Sequence, residues 1–255
     1  MNRDLRFLDQ DELQAVAGEH PYPLLFATVS GAHLYGFPSR DSDVDLRGVH
    51  LLPVDEVVGL RPGPATVDRS WMRNGAEIDL VTHDAVKFFV LLLRRNGYVL
   101  EQLLSPLVVV GGPVHEELLA LAPACLTRHH AHHYRGFATT QQRLYARTGE
   151  LKPLLYSFRV LLTGIRLMNS RTLIADLPTL IAEDPAAPPY LADLVTLKAE
   201  QEHGPVPTEV TDRCEADLAA LSARLDQAEQ DSALPDRASA EPALHDLLIR
   251  LRLGK

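Results

Sequence analysis

Strand-like and helix-like patterning are segregated along this chain, and Pro113 marks the change. Before it, short apolar runs bounded by turn residues read as strands over 24–29, 44–52 and 107–110. Residues 65–73 and 76–82 flank Asn74-Gly75, a pair that accepts positive φ at both positions of a tight hairpin turn. Residues 11–19 read as a short helix and 55–60 as a helical turn. A further helix begins near Thr82 or His83, with Val86, Phe89, Val90 and Leu93 on one face. After Pro113 the strand signals stop, and helices are expected over about 114–122, 128–147, 151–168, 172–183, 189–203, 208–230 and 241–252. Breaks between them fall at Pro and Gly, and the polar run 231–242 reads as a flexible linker. The expected organisation is an α/β domain over 1–113 followed by an α-helical domain over 114–255.

Composition removes several function classes. Of 255 residues, 46% are hydrophobic and 23% charged, which excludes a disordered or collagen-like chain. The longest apolar stretch, 88–93, falls far short of the ~20 residues that cross a bilayer, so no membrane association is expected. The opening Met-Asn-Arg-Asp-Leu has no signal-peptide apolar core. Two distant cysteines, Cys125 and Cys214, make neither a disulfide framework nor a zinc motif, and a cytoplasmic setting is the default.

A net charge of -9 argues against a non-specific nucleic-acid coat. Yet between Thr127 and Arg171 eight cations (Arg128, Arg135, Arg143, Arg147, Lys152, Arg159, Arg166, Arg171) meet one acid, Glu150. That segment suits either a polyanion or a solvated helix face neutralised by the acidic C-terminal third.

The informative stretch runs from Ser30 to Val49. In a strand, Asp43, Asp45 and Arg47 share one face, while Val44, Leu46 and Val49 serve a core, with Gly48 a point where the alternation can break. Two carboxylates so placed repel each other unless a cation neutralises them, and paired Asp oxygens suit the hard-ligand preference of Mg²⁺. Gly31, twelve residues before Asp43, permits close backbone approach to a phosphate. On the strand 76–81, Asp79 alternates with Ile78 and Leu80 and can face the same cleft, with Glu77 as its rival. Three carboxylates around two ions are one way to run in-line phosphoryl or nucleotidyl transfer.

On these residues the sequence resembles the DNA polymerase beta-type nucleotidyltransferase superfamily. More narrowly, Gly31-Ala-His-Leu-Tyr-Gly36 with Asp43-Val-Asp45-Leu-Arg-Gly-Val49 is similar to its RNA-repair-pathway subgroup, as is Lys152-Pro-Leu-Leu-Tyr-Ser-Phe-Arg159 to that subgroup's second block. The resemblance spans roughly residues 24–170. It implies an α+β fold, with a small mixed sheet and flanking helices followed by a helical domain. It also implies transfer of a nucleoside monophosphate from an NTP to a hydroxyl, with two Mg²⁺ or Mn²⁺ ions and a nucleic-acid end in RNA or DNA repair as acceptor. By the same resemblance Asp43, Asp45 and Asp79 are the metal-binding and catalytic carboxylates, Gly31 is the motif glycine, and Lys152 and Arg159 contact the nucleotide. Ala32 stands where the family carries a serine that positions phosphates, and Ser30 or Ser42 are the candidates to replace that hydroxyl. A protein or small-molecule acceptor, or a catalytically weak nucleotide-binding module, is the alternative.

Other residues keep two readings. Lys152, Arg159 and Arg166 recur every seven positions and form either a phosphate-binding stripe or an exposed one. Arg47 is an ion-pair partner of the site carboxylates or a phosphate contact. Trp71 and Phe37 stack a base or belong to the core; Tyr35 and His33 lie in the loop region. In His129-His130-Ala-His132-His133 the spacing suits metal ligands, but no Cys or acid lies nearby in sequence to complete a set, and the cluster reads equally as a nucleic-acid or phosphate contact or as an exposed helix face.

Overall fold

The computed structural model describes residues 9–40, 42–200 and 204–255. The opening residues, and the last three positions of the helix expected over 189–203, lie outside these. The elements are α1 Gln10–Gly18, β1 Leu24–Val29, α2 Gly31–Tyr35, β2 Val44–His50, α3 Asp55–Val58, β3 Thr66–Arg73, β4 Ala76–Asp84, α4 Ala85–Leu93, α5 Gly97–Leu103, β5 Val108–Val110, α6 Pro113–Cys125, α7 His130–Thr148, α8 Leu151–Ser170, α9 Leu177–Glu183, α10 Leu191–Glu200, α11 Thr208–Asp231 and α12 Glu241–Leu253. The fold is α+β, as the segregated patterning implies.

The described residues form two compact units from discontinuous segments: those within 1–33, 43–125 and 238–255 in the first, and those within 34–42 and 126–237 in the second. In the first, five strands make a mixed sheet of order β3-β4-β2-β1-β5. Strands β2 and β4 are parallel, and the other pairs are antiparallel. The hairpin turn is the one the Asn-Gly pair demands, with φ of 49° at Asn74 and 85° at Gly75. One face of the sheet carries Val29, Val44, Leu46, Ile78 and Leu80 against Leu13, Val16 and Ala17 of α1. Helix α1 is fixed by a capping box between Asp9 and Glu12. On the opposite face Phe26 packs edge-on to Phe88 and stacks on His115.

Three local expectations need correction. The cap of α4 is Asp84, whose side chain accepts from the Val86 N–H, and not Thr82 or His83. Parallel pairing carries β4 through Asp84, opposite His50, so Thr82 and His83 remain strand. The buried face of α4 is Ala85, Phe88, Phe89 and Leu92; Val86 and Val90 are exposed. An almost uniformly apolar helix gives no contrast from which to read its inner face. Finally, the stretch after α11, expected as a flexible linker, is fastened. The Ser232 hydroxyl donates to the Met168 carbonyl, the Ser239 N–H donates to the Ala124 carbonyl, and Leu234 and Ala240 are buried.

Helix α12 returns to the first unit, where Arg252 donates to both oxygens of Asp84 at 2.8 and 2.6 Å and to the Leu52 carbonyl. The second unit is built on α8, whose Leu151, Leu155, Leu162 and most other side chains are buried. Both cysteines are free and buried. Among the described residues no helix is long and apolar enough to cross a membrane.

Two measurements check these packing arguments. A Cβ added at Gly164 meets Leu225 and Tyr134 at 3.0 Å, whereas one added at Gly136 meets nothing within 4 Å. In urea unfolding, Gly164→Val should therefore cost about 1–3 kcal/mol through overpacking, while Gly136→Ala should gain up to ~1 kcal/mol of helix propensity. Equal effects would contradict the packing. Burial, then the charges of Lys87, His50 and Arg47, push His83 down to about 4; burial also holds His20 and His50 below their ordinary range. The unfolded chain then binds more protons than the folded one below about pH 6.5. Stability should be complete above that value and fall toward pH 4, with a shallower slope in His83→Gln. An unchanged slope would remove His83 from the account.

Candidate active site

The parallel pairing of β2 with β4 builds the site. Their register sets Asp45 directly opposite Asp79 and Leu46 opposite Leu80. With strands ~4.8 Å apart and side chains alternating, the two carboxylates are forced side by side while the leucines enter the core beneath. Asp43 precedes the strand by one position and reaches the same place. Ligand oxygens of Asp43, Asp45 and Asp79 all lie within 4.8 Å of one another. All three are half-buried. Glu77 is exposed, accepts from the Ser70 hydroxyl at 2.9 Å, and is not part of this group.

Arg47 meets the clustered charge. Its Nη2 donates to Asp45 Oδ1 at 2.5 Å and to Asp79 Oδ2 at 2.7 Å. Nη1 donates to the Leu46 and Asp79 carbonyls, and Nε to the Tyr98 hydroxyl at 2.9 Å. The side chain is only 8% exposed. Burial disfavours its charge, but Tyr98, Asp45 and Asp79 more than offset this and raise its pKa above the ordinary value. Of its two sequence readings, the ion pair is the one seen. Tyr98 was invisible to sequence reading because α5, seven residues capped by the Asn96 side chain, is too short to show a period.

Gly31 is required here for a reason beyond phosphate access. Its φ is +59°, and a Cβ added to it would sit 1.7 Å from Asp45 Oδ2. The glycine lets the backbone lie against the carboxylate, and the neighbouring Ser30 N–H donates to the Asp45 carbonyl at 2.8 Å. Ala32 is buried, 4% exposed. Of the two serines offered as substitutes, the Ser42 hydroxyl is engaged with Ser39, accepting its N–H at 2.9 Å. The Ser30 hydroxyl is buried without a hydrogen-bond partner among the described residues.

Other sequence candidates fall elsewhere. Trp71 pairs with Ile78 and packs on the α1 face, across the sheet from the carboxylates. A cavity of about 500 Å³ lined by Val16, Glu19, Arg69, Ser70, Trp71 and Leu80 lies beside it. Phe37 is buried in the second unit against Tyr35 and Tyr156. In that same unit Arg159 is 2% exposed, with its guanidinium 3.7 Å from the Tyr35 ring centre. Arg166 pairs with Glu183, Arg135 with Asp226 and Glu229, and Arg128 with Asp236. The heptad stripe is thus not one solvent-facing row, and much of the locally positive segment is answered by acids of its own unit. Lys152 is half-buried in the first turn of α8.

The sequence profile of the RNA repair pathway DNA polymerase beta family matches residues 5–250, well beyond the 24–170 stretch that carries the resemblance by eye. An uncharacterized protein of Methanocaldococcus jannaschii is 30% identical over 148 residues, covering 57% of this chain and 60% of that protein. The match spans about three-fifths of the relative's length.

The ion pairs generate a stability test. Arg47→Leu leaves Asp45 and Asp79 facing each other without compensation and should cost about 3 kcal/mol, a loss of this size being typical when one partner of a buried pair is removed. Mg²⁺ at millimolar concentration should recover more stability in this variant than in the unaltered protein, read as a shift in thermal midpoint. An equal shift in both would mean that the cation does not share the carboxylates with Arg47.

Proposed function

From the chain's membership of the RNA repair pathway DNA polymerase beta family, we propose that it is a divalent-metal-dependent nucleotidyltransferase acting on nucleic-acid ends. The observation that carries this reading is the convergence of Asp43, Asp45 and Asp79 within 4.8 Å, from two strands in parallel register. The donor set is all carboxylate oxygen, which fits Mg²⁺ or Mn²⁺ and disfavours softer ions. Bound there, two such ions would polarise the phosphates of an NTP and make an acceptor hydroxyl more acidic.

The chain's own residues have distinct tasks. Asp43, Asp45 and Asp79 would hold the ions, and Asp79 would also receive the acceptor's proton. A new bond forms between the acceptor oxygen and the α-phosphorus, the bond from that phosphorus to the β-phosphate bridging oxygen breaks, and pyrophosphate leaves. Arg47 fixes one oxygen of Asp45 and one of Asp79, so the two carboxylates cannot rotate apart. Gly31 lets the loop backbone approach Asp45 and the phosphates. Lys152 and Arg159 are the nucleotide contacts suggested by the second motif block. Arg159 also holds Tyr35 through its guanidinium. The physiological acceptor in this reading is an RNA or DNA end, in a cytoplasmic setting.

Ala32 favours a second reading, a nucleotide-binding module with little turnover, because the loop lacks a hydroxyl at that position.

The test uses NTPs labelled at the α-phosphate with Mg²⁺ or Mn²⁺, each mixed with single-stranded RNA, DNA, tRNA or protein extract. Label should pass to a nucleic acid, with pyrophosphate released and the reaction stopped by EDTA. Asp45→Asn should lower the rate by at least about a hundredfold, a loss of roughly 3 kcal/mol of transition-state stabilisation, while the circular dichroism spectrum is kept. Label on protein instead would move the acceptor class. Metal-dependent NTP binding without pyrophosphate release in every mixture would sustain the weak-turnover reading and end the first.

A further inference from the structure

A second potential metal-ligand cluster lies wholly within the second unit. His129 and His132, at the start of α7, meet Glu229 from the last turn of α11, and one ligand atom of each lies within 4.8 Å of the others. The acid that the local sequence lacks is supplied from a hundred residues away. His132 Nε2 is 2.9 Å from Glu229 Oε1, and His129 Nδ1 is 3.8 Å from the same oxygen. Tetrahedral ligands bound at ~2.0–2.1 Å are about 3.4 Å apart, and the two distances bracket that edge.

Three further observations point to an ion. The His129 Nδ1 atom is shielded from solvent without a hydrogen-bond partner among the described residues, a condition that disfavours the fold unless a ligand relieves it. Its other ring nitrogen lies 3.8 Å from Asp236 Oδ1, so the ring sits between two carboxylates. Glu229 is held through its other oxygen, Oε2, by Arg135 at 2.7 Å, which leaves Oε1 directed at the rings. Arg135 also donates to Asp226 and Arg128 pairs with Asp236. Three carboxylates and two guanidiniums thus surround the two rings.

We propose that His129, His132 and Glu229 bind one divalent transition-metal ion of zinc's class and brace α7 against α11. The mixed nitrogen and oxygen donors select this class over Mg²⁺, which distinguishes the cluster from the all-carboxylate group on β2 and β4. The half-exposed His132 leaves an open side for water as a fourth ligand.

The test runs on the full chain carrying Asp43→Asn and Asp45→Asn, so that the other cluster no longer contributes. Titration with Zn²⁺ should show one equivalent bound and a raised thermal midpoint. Co²⁺ should replace it and give visible d–d absorption, while a hundredfold excess of Mg²⁺ should not compete. Adding His132→Ala should abolish uptake; this side chain is half-exposed, so its removal leaves the fold intact, which circular dichroism checks. Glu229→Gln should do the same. One equivalent retained in both variants, or none in the starting chain, would overturn the site. Neither outcome bears on nucleotide transfer, which is read separately with the unaltered carboxylates.

Discussion

The site depends on one piece of backbone geometry, the in-register parallel pairing of β2 with β4. Opposed partners on neighbouring strands share a face, so Asp45 and Asp79 are brought together by the same hydrogen bonds that drive Leu46 and Leu80 into the core. A one-residue slip would exchange the two sets, burying carboxylates and exposing leucines. The hydrophobic core beneath α1 therefore sets the register, and the register sets the acidic cluster. Two like charges at that distance oppose the fold, and Arg47 on the same face answers both through one nitrogen. Lysine could not serve in its place: Arg47 reaches two carboxylates, two carbonyls and a phenol through a planar fork.

Much of this was legible in the sequence because it is local or periodic. Alternation along 44–47 and 77–80 shows which residues share a face, and Asn74-Gly75 fixes the hairpin that delivers β4 to β2. What could not be read depends on distant partners. Asp84 caps α4, and it is held by Arg252 from the far end of the chain. Tyr98 reaches Arg47 from a helix too short to show a repeat. Trp71 has the right chemistry to stack a base, but strand parity sends it to the α1 face. Glu229 meets the histidines of α7 only because α11 packs on that helix.

The second unit shows why a count of charges along a segment misleads. The stretch from Thr127 to Arg171 carries eight cations against one acid. In the fold, Arg128, Arg135 and Arg166 face Asp236, Asp226, Glu229 and Glu183, all of which come from later in the chain. Arg159 is buried over Tyr35, where the ring face offsets part of the hydration that the guanidinium loses. Tyr35, which this contact engages, lies between Gly31 and Asp43 in the sequence and belongs to the second unit. An arginine that the motif suggests for phosphate is thus also an anchor of the loop that separates the two halves of the acidic motif.

The charge balance at β2 and β4 bears on how many ions the carboxylates can hold. Three carboxylates and one guanidinium leave two negative charges, which a single divalent ion cancels. A second ion would leave the group positive by two, and in a half-buried site that excess is unfavourable unless an anion enters with it. A triphosphate is such an anion. Under the proposed function, Arg47 would thereby make the second ion conditional on the nucleotide: with no arginine on this face, three carboxylates would draw both ions more strongly on their own. On this charge count, one ion would belong to the resting protein and the other would arrive with the substrate it activates.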